Sequence, residues 1–362
     1  MRPLTDLIAL AVPTLLIGCK SELPPLEFHG ERVVVGSDVV DEICAGTLAR
    51  LDREVMQIED RLDLSHERAP LHVYVVSPEA IAAHCDFDNC TIISNRDEPF
   101  ALVNHRSFER VVVHELTHAR LAHRRPVPLL EEGVAVAMSP PQCPVTVPLD
   151  LGLFELLDKQ ATELLALGVG YYIAGEFVAW QLERFGPSSF MTFYANVKLD
   201  SSASALQAKY RAHFDRDIED DPFAYIRTLE DLEELEALAP ENFGCVAPPA
   251  PTNGKVISLQ ATLSCDSDLV QTDFGVAGNG FIEWTLTLEH VQTFELVGSV
   301  PEWTSLSLQR CGCVPNRGSV AHLQLQPRPV KQYETLEPGT YRLRWDGALD
   351  DELMLDVQLV PR

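Results

Sequence analysis

Positive charge is scarce in this sequence. Its 362 residues carry 28 Lys plus Arg against 54 Asp plus Glu, a net charge of −26. An excess of that size repels phosphate backbones and anionic headgroups alike, so nucleic acid is excluded as a partner. The apolar stretch Leu7 to Ile17 is too short to span a bilayer as a permanent helix. Cys311-Gly312-Cys313 has no second close pair to accompany it, which sets aside a cysteine-based structural zinc site. The acidic segment with Glu230, Asp231, Glu233 and Glu234 lacks EF-hand spacing and reads as a solvated helix face. No internal repeat is present. What remains is the balance of a folded globular protein, 46% hydrophobic and 23% charged, long enough for two domains that each bury a core.

Residues 1–18 read as a signal peptide, with Arg2 ahead of the apolar run. The run closes on Leu16-Ile17-Gly18-Cys19, which resembles the bacterial lipobox. That resemblance implies a thioether-linked lipid on Cys19 and a chain anchored in the bacterial cell envelope, periplasmic or on the outer-membrane surface. An ordinary secretory signal is the plainer alternative, and it also sends the chain out of the cytoplasm. Setting Cys19 aside leaves eight cysteines: Cys44, Cys85, Cys90, Cys143, Cys245, Cys265, Cys311 and Cys313. An even set in an exported chain allows four disulfides. Cys85 and Cys90 could close a short local loop, and the remaining connectivity stays open.

Hydrophobic periodicity gives an α+β reading. Residues 19–30 form a tether. Arg32 to Val35 is a strand, Val39 to Leu62 a long amphipathic helix, Leu71 to Val76 a strand, Pro78 to His84 a short helix and Thr91 to Ser94 another strand. Helical spacing follows over Ser107 to Arg124, Glu131 to Met138, Leu151 to Ala166, Gly170 to Phe185, Ser188 to Val197, Ser204 to Phe214 and Ala224 to Leu238. A small sheet and a helical lobe over 31–240 result. Residues 241–254 have linker composition. From 255 to 362 the expected strands are Val256 to Leu259, Phe281 to Leu288, Thr304 to Leu308, His322 to Leu325, Tyr341 to Trp345 and Met354 to Leu359, separated by turns, the pattern of an all-β sandwich or jelly roll.

His114-Glu115-Leu116-Thr117-His118 is an HExxH motif inside an expected helix. A four-residue spacing sets both imidazoles on one helix face, one turn apart, where they can share one Zn²⁺. Glu115 is placed to act as general base. A third ligand is required. The metzincin pattern fails, because Leu121 and Arg124 stand where Gly and His are needed, and His123 beside Arg124 and Arg125 reads as a solvated cation at a helix end.

Downstream, Pro128-Leu129-Leu130-Glu131-Glu132-Gly133-Val134-Ala135 resembles the gluzincin segment whose Glu before Gly is the third zinc ligand. Glu132 matches that position, with Glu131 as the alternative about 100° away on the helix. The break at Arg124-Arg125-Pro126 lets the chain return in a tight loop. Tyr171-Tyr172-Ile173-Ala174-Gly175-Glu176 is similar to the gluzincin helix whose Tyr donates to the oxyanion; Tyr172 fits the spacing Y-x-x-G and Tyr171 the looser Y-x-x-x-G. Core packing of both tyrosines is the bland alternative. The resemblance covers roughly residues 30 to 225. It implies a zinc metallopeptidase acting on a peptide or protein substrate, with the strand at Thr91 to Ser94 pairing with an extended substrate backbone. The Gly-x-Met-Glu-Asn segment of aminopeptidases is absent from Phe100 to Val113, which favours an endopeptidase.

The segment Leu336-Glu337-Pro338-Gly339-Thr340-Tyr341-Arg342-Leu343 is similar to the closing hairpin of jelly-roll domains that follow secreted peptidases. Trp284, Trp303 and Trp345 could form a sugar platform, although buried sandwich aromatics are the simpler reading. A second function therefore stands beside the first, a surface binding or adhesion lipoprotein built on a non-catalytic peptidase-like scaffold. Oligomeric state is not legible.

Overall fold

A computed structural model describes residues 23–66, 68–85, 89–93, 98–139, 153–157, 159–160, 163–164, 170–220, 247–276, 278–299, 304–311, 320–321 and 332–362. The expected signal segment with Cys19, the helix at Ala224 to Leu238, the strand at His322 to Leu325, Trp303, Cys143, Cys245 and Cys313 lie outside the described residues, as does part of Leu151 to Ala166. Among the described residues no helix is long and apolar enough to cross a membrane.

The chain builds an α+β body followed by an antiparallel β body. In the first, β1 (Phe28–His29), β2 (Val33–Ser37), β3 (Leu71–Val76), β4 (Asn89–Ile93) and β5 (Pro99–Asn104) form one sheet of order β1-β2-β3-β5-β4. β2, β3 and β5 run parallel, while β1 and β4 are antiparallel edges. The helix α1 (Ala45–Arg61) supplies the crossover from β2 to β3, laying Leu51, Val55 and Ile58 into the core with Val33, Val73 and Val103. A short α2 (Pro78–Ala82) follows β3, its first turn capped by the Ser77 hydroxyl accepting from the Ala80 amide.

The helical lobe comprises α3 (Phe108–Leu121), α4 (Pro128–Met138), α5 (Leu153–Leu156), α6 (Gly170–Phe185), α7 (Pro187–Asn196) and α8 (Ala203–Phe214). Along α3, Phe108, Val112, Leu116 and Ala119 are buried at helical spacing, which leaves His114 and His118 turned away from that stripe and Glu115 at its edge. Proline at the first position of α4 starts that helix where its missing N–H costs nothing.

The β body stacks two antiparallel sheets over one core. Their orders are β13-β10-β15-β7-β6 and β12-β11-β14-β9-β8. The strands are β6 (Thr252–Asn253), β7 (Val256–Leu263), β8 (Val270–Thr272), β9 (Asn279–Leu288), β10 (Gln292–Ser299), β11 (Ser305–Arg310), β12 (Val320–Ala321), β13 (Gln332–Leu336), β14 (Gly339–Ala348) and β15 (Asp350–Pro361). Leu259, Leu296 and Val357 from one sheet meet Ile282, Leu308 and Leu343 from the other. Trp284 and Trp345 are both buried in that core, so neither lies on a surface platform. Part of the expected linker belongs to this body: the Ala250 amide donates to the Thr285 carbonyl, and Thr252 pairs with Ile257.

The two bodies are bolted together at the start of α1. Cys44 and Cys265 form a disulfide across a sequence separation of 221. Around it, the Cys44 amide donates to the Thr272 hydroxyl, the Thr272 amide to the Thr47 hydroxyl and the Ala45 amide to the Cys265 carbonyl. Gly46 is required for this approach, because a Cβ there would lie 2.4 Å from the Val270 carbonyl oxygen. Cys85 and Cys90 close the second described disulfide, the local loop that the short spacing allows.

Candidate metal centre

Both ends of α3 are held by charge. At its start, Glu109 pairs with Arg50 of α1 and lies 3.9 Å from Arg344 of β14, while Arg344 also reaches Glu283 of β9 at 3.6 Å. Beside them, Phe108 packs on Phe274 with ring centroids 4.5 Å apart. Towards the other end, Arg120 pairs with the fully buried Glu59 of α1 at 3.0 Å, and Arg32 and His66 face the same carboxylate at 3.4 and 3.0 Å. Taking Glu59 out of water is costly unless it is paired, and three partners meet that need. The helix between these anchors carries the HExxH residues.

The three expected ligands converge, two from α3 and Glu132 from α4. His114 Nε2 and His118 Nε2 lie 3.0 Å apart, and each lies 3.3 Å from Glu132 Oε2. Sides of 3.0, 3.3 and 3.3 Å are close to the ~3.3 Å edge of a tetrahedron whose centre lies ~2.0–2.1 Å from each corner, the length of zinc bonds to nitrogen and oxygen. The donor set and its spacing therefore fit a tetrahedral cation with one corner left over. Among the described residues this is the one such cluster of His, Cys, Asp or Glu. Glu131 turns instead to Arg125, 3.3 Å away, and His123 is exposed.

Electrostatics tie the three together. Burial by itself would depress His118, but the charge and hydrogen bond of Glu132 outweigh it and push the imidazole up to about 9. Burial likewise works to raise Glu132, and the two histidines overcome it, holding the carboxyl far below the usual carboxylate range. In the absence of a cation the cluster thus keeps a proton on His118 that a bound cation would displace.

Glu115 is buried, and its Oε2 lies 3.0 Å from the Thr91 hydroxyl, which is also 2.9 Å from the Glu115 carbonyl oxygen. Of the two candidate tyrosines, Tyr171 reaches the cluster. Its ring stacks on His114, and Glu132 is near enough to act on its hydroxyl. Burial and then the Glu132 charge push its pKa well above the ordinary phenol range, so the hydroxyl keeps its proton. Tyr172 is half-buried against the helical core.

Two glycines set this geometry. A Cβ on Gly133 would lie 2.6 Å from the Ala174 carbonyl oxygen, and one on Gly175 would lie 2.4 Å from Val136 Cγ1. With no side chain at either position, α4 and α6 cross closely enough for Tyr171 to meet Glu132. The residues missed in the sequence are Thr91, Gly175 as a spacer, and the Arg50, Glu109 and Arg344 anchors. A polar β-branched residue in a strand preceding HExxH was the available signal for Thr91; the anchors join distant segments and leave none.

No protein-family model matches the sequence, and no curated protein matches it. Among solved structures the chain is similar to a GH26-CBM35 β-(1,4)-mannanase from Podospora anserina, at 15% identity over 32% of this chain and 26% of that one, with a TM-score of 0.14. A family GH115 4-O-methyl-α-glucuronidase, BtGH115A, is similar at 12% identity over 68% of this chain and 38% of that one, TM-score 0.17. A Paenibacillus cycloisomaltooligosaccharide glucanotransferase is similar at 10% identity over 85% of this chain and 47% of that one, TM-score 0.13. The chain spans less than half the length of each of these proteins, and likenesses so slight carry no argument about its fold or activity.

Proposed function

We propose that this chain is a zinc-dependent peptidase of the gluzincin type, exported and held on the cell envelope by a lipid on Cys19, with endopeptidase activity favoured. The observation that carries the reading is the meeting of His114, His118 and Glu132 donor atoms within 3.3 Å of one another, with Glu115 and Tyr171 beside them. Zinc held by those three residues would supply a Lewis acid and lower the pKa of water towards neutrality.

The chain's own groups do the rest. Glu115 takes a proton from the attacking water and returns it to the leaving amine. The Tyr171 hydroxyl, kept protonated by burial and the nearby carboxylate, donates a hydrogen bond to the carbonyl oxygen as that oxygen gains charge. Among the described residues β4 is an antiparallel edge of the sheet, along which an extended peptide can lie.

The test is metal analysis of the mature chain together with cleavage of a mixed peptide library, with and without chelator. About one zinc per chain and cleavage abolished by the chelator are expected. Cleavage indifferent to the chelator overturns the reading, and bound zinc without any cleavage favours the alternative of a non-catalytic binding lipoprotein.

A further inference from the structure

We propose that Thr91 is a positioning residue for Glu115, its hydroxyl holding one carboxylate oxygen so that the other is aimed; this rests on the reading of Glu115 as general base. The Thr91 Oγ1 atom lies 3.0 Å from Glu115 Oε2 and 2.9 Å from the Glu115 carbonyl oxygen. A hydroxyl owns one proton and two lone pairs. Donated to Oε2, the Thr91 proton fixes the rotamer of the Glu115 carboxylate.

The carbonyl does not need Thr91 for its own sake, because within α3 it also accepts the helical bond from the residue four positions on. The contact with Oε2 is the one that has no substitute in the helix. With Oε2 engaged, Oε1 is the oxygen left to meet water. A valine or alanine at 91 would leave the carboxylate to be held by packing alone.

Thr91 is itself rigidly presented. It lies on β4 opposite Ala101 of β5, one residue after Cys90, which is bonded to Cys85. Asn89, two residues before it, accepts from the Asn104 amide and the Ser107 hydroxyl just ahead of α3. Strand and helix are thereby fixed to each other at two points, and a hydroxyl on the strand can orient a carboxylate on the helix to within a few tenths of an ångström.

The experiment compares the full mature protein with its Thr91→Val and Thr91→Ser variants in zinc content, kcat, KM and the crystallographic position of the Glu115 carboxylate. Thr91→Val is expected to lower kcat by about 10–100-fold, with KM within twofold, zinc content unchanged and the Glu115 carboxylate rotated or split between rotamers. Thr91→Ser is expected to restore kcat to within about threefold, since it returns the hydroxyl alone. A Thr91→Val protein with wild-type kcat, or one whose loss serine does not repair, overturns the role of Thr91 and leaves the peptidase reading standing. A wild-type protein that binds zinc and cleaves nothing overturns the peptidase reading and with it any catalytic role for Thr91. In that case the carboxylate position in the valine variant still decides whether Thr91 holds Glu115.

Discussion

The ring of Tyr171 lies almost parallel to the imidazole of His114, with centroids 6.1 Å apart and planes inclined by 16°. This stacking aims the phenol along the same side of α3 as the metal-binding nitrogens. Tyr171→Phe removes the hydroxyl and keeps the ring, so zinc content should hold while kcat falls by about 10²–10³-fold, the cost of losing one donor to a developing oxyanion. Tyr172→Phe should lose at least about tenfold less. Peptide hydrolysis by the two variants, measured side by side, checks this.

Glu132 contributes the carboxylate corner of the triangle. Glu132→Ala is expected to reduce bound zinc to under about one tenth per chain and to abolish chelator-sensitive cleavage, whereas Glu131→Ala, aimed at Arg125, should keep full zinc. Metal analysis of the two dialysed proteins separates the outcomes.

Removing the metal exposes a pH dependence of known sign. The folded-state pKa of His118 is raised from 6.5 to about 9. Its contribution to the stability of the metal-free protein is therefore complete below pH 6.5 and disappears as pH rises through about 9. Glu132 has the opposite sense, its stabilisation being present above the ordinary carboxylate pKa and lost as pH falls towards the depressed folded value. The two describe one interaction. The thermal midpoint of chelator-stripped protein should drop between pH 6.5 and 9, and His118→Gln should flatten that drop.

Gly133→Ala and Gly175→Ala test the helix crossing. At 133 the added methyl meets the main chain of Ala174, which cannot swing away, whereas at 175 it meets the side chain of Val136. Both should destabilise by about 1–3 kcal/mol, Gly133→Ala by more, with weaker zinc retention because Glu132 moves with its neighbour. Denaturant titrations and zinc content report the two effects together.

For Cys44→Ser, loss of the bond to Cys265 should cost about 2–5 kcal/mol and separate one unfolding transition into two. Calorimetry of the oxidised and variant proteins checks both.

Much of this site was legible in the sequence because its chemistry is local. His114 and His118 are four residues apart, and Glu132 follows a short turn that Pro126 and Pro128 announce. The helix Gly170–Phe185 has the bounds that its apolar spacing predicts, and so does the strand Leu71–Val76. β5 was not read, because Phe100 to Val103 is a continuous apolar run without alternation and sits directly before α3. Nor were β8, β10 and β13, which are short or alternate polar residues in ways their partners alone make sense of. The contact of α1 with β8 was invisible for a different reason. Cys44 and Cys265 are ordinary members of a set of eight until coordinates pair them, and the small residues Gly46 and Thr47 give no hint of a neighbour.

That pairing also imposes an order of assembly. A chain made from its N-terminus presents residue 44 long before residue 265 exists, and the Arg344 that faces the first turn of α3 emerges later still. The helix with the paired imidazoles is thus fastened in part by residues made long after it. Completion of the frame waits for the β body, and a chain lacking that body would carry the motif without the contacts that aim it.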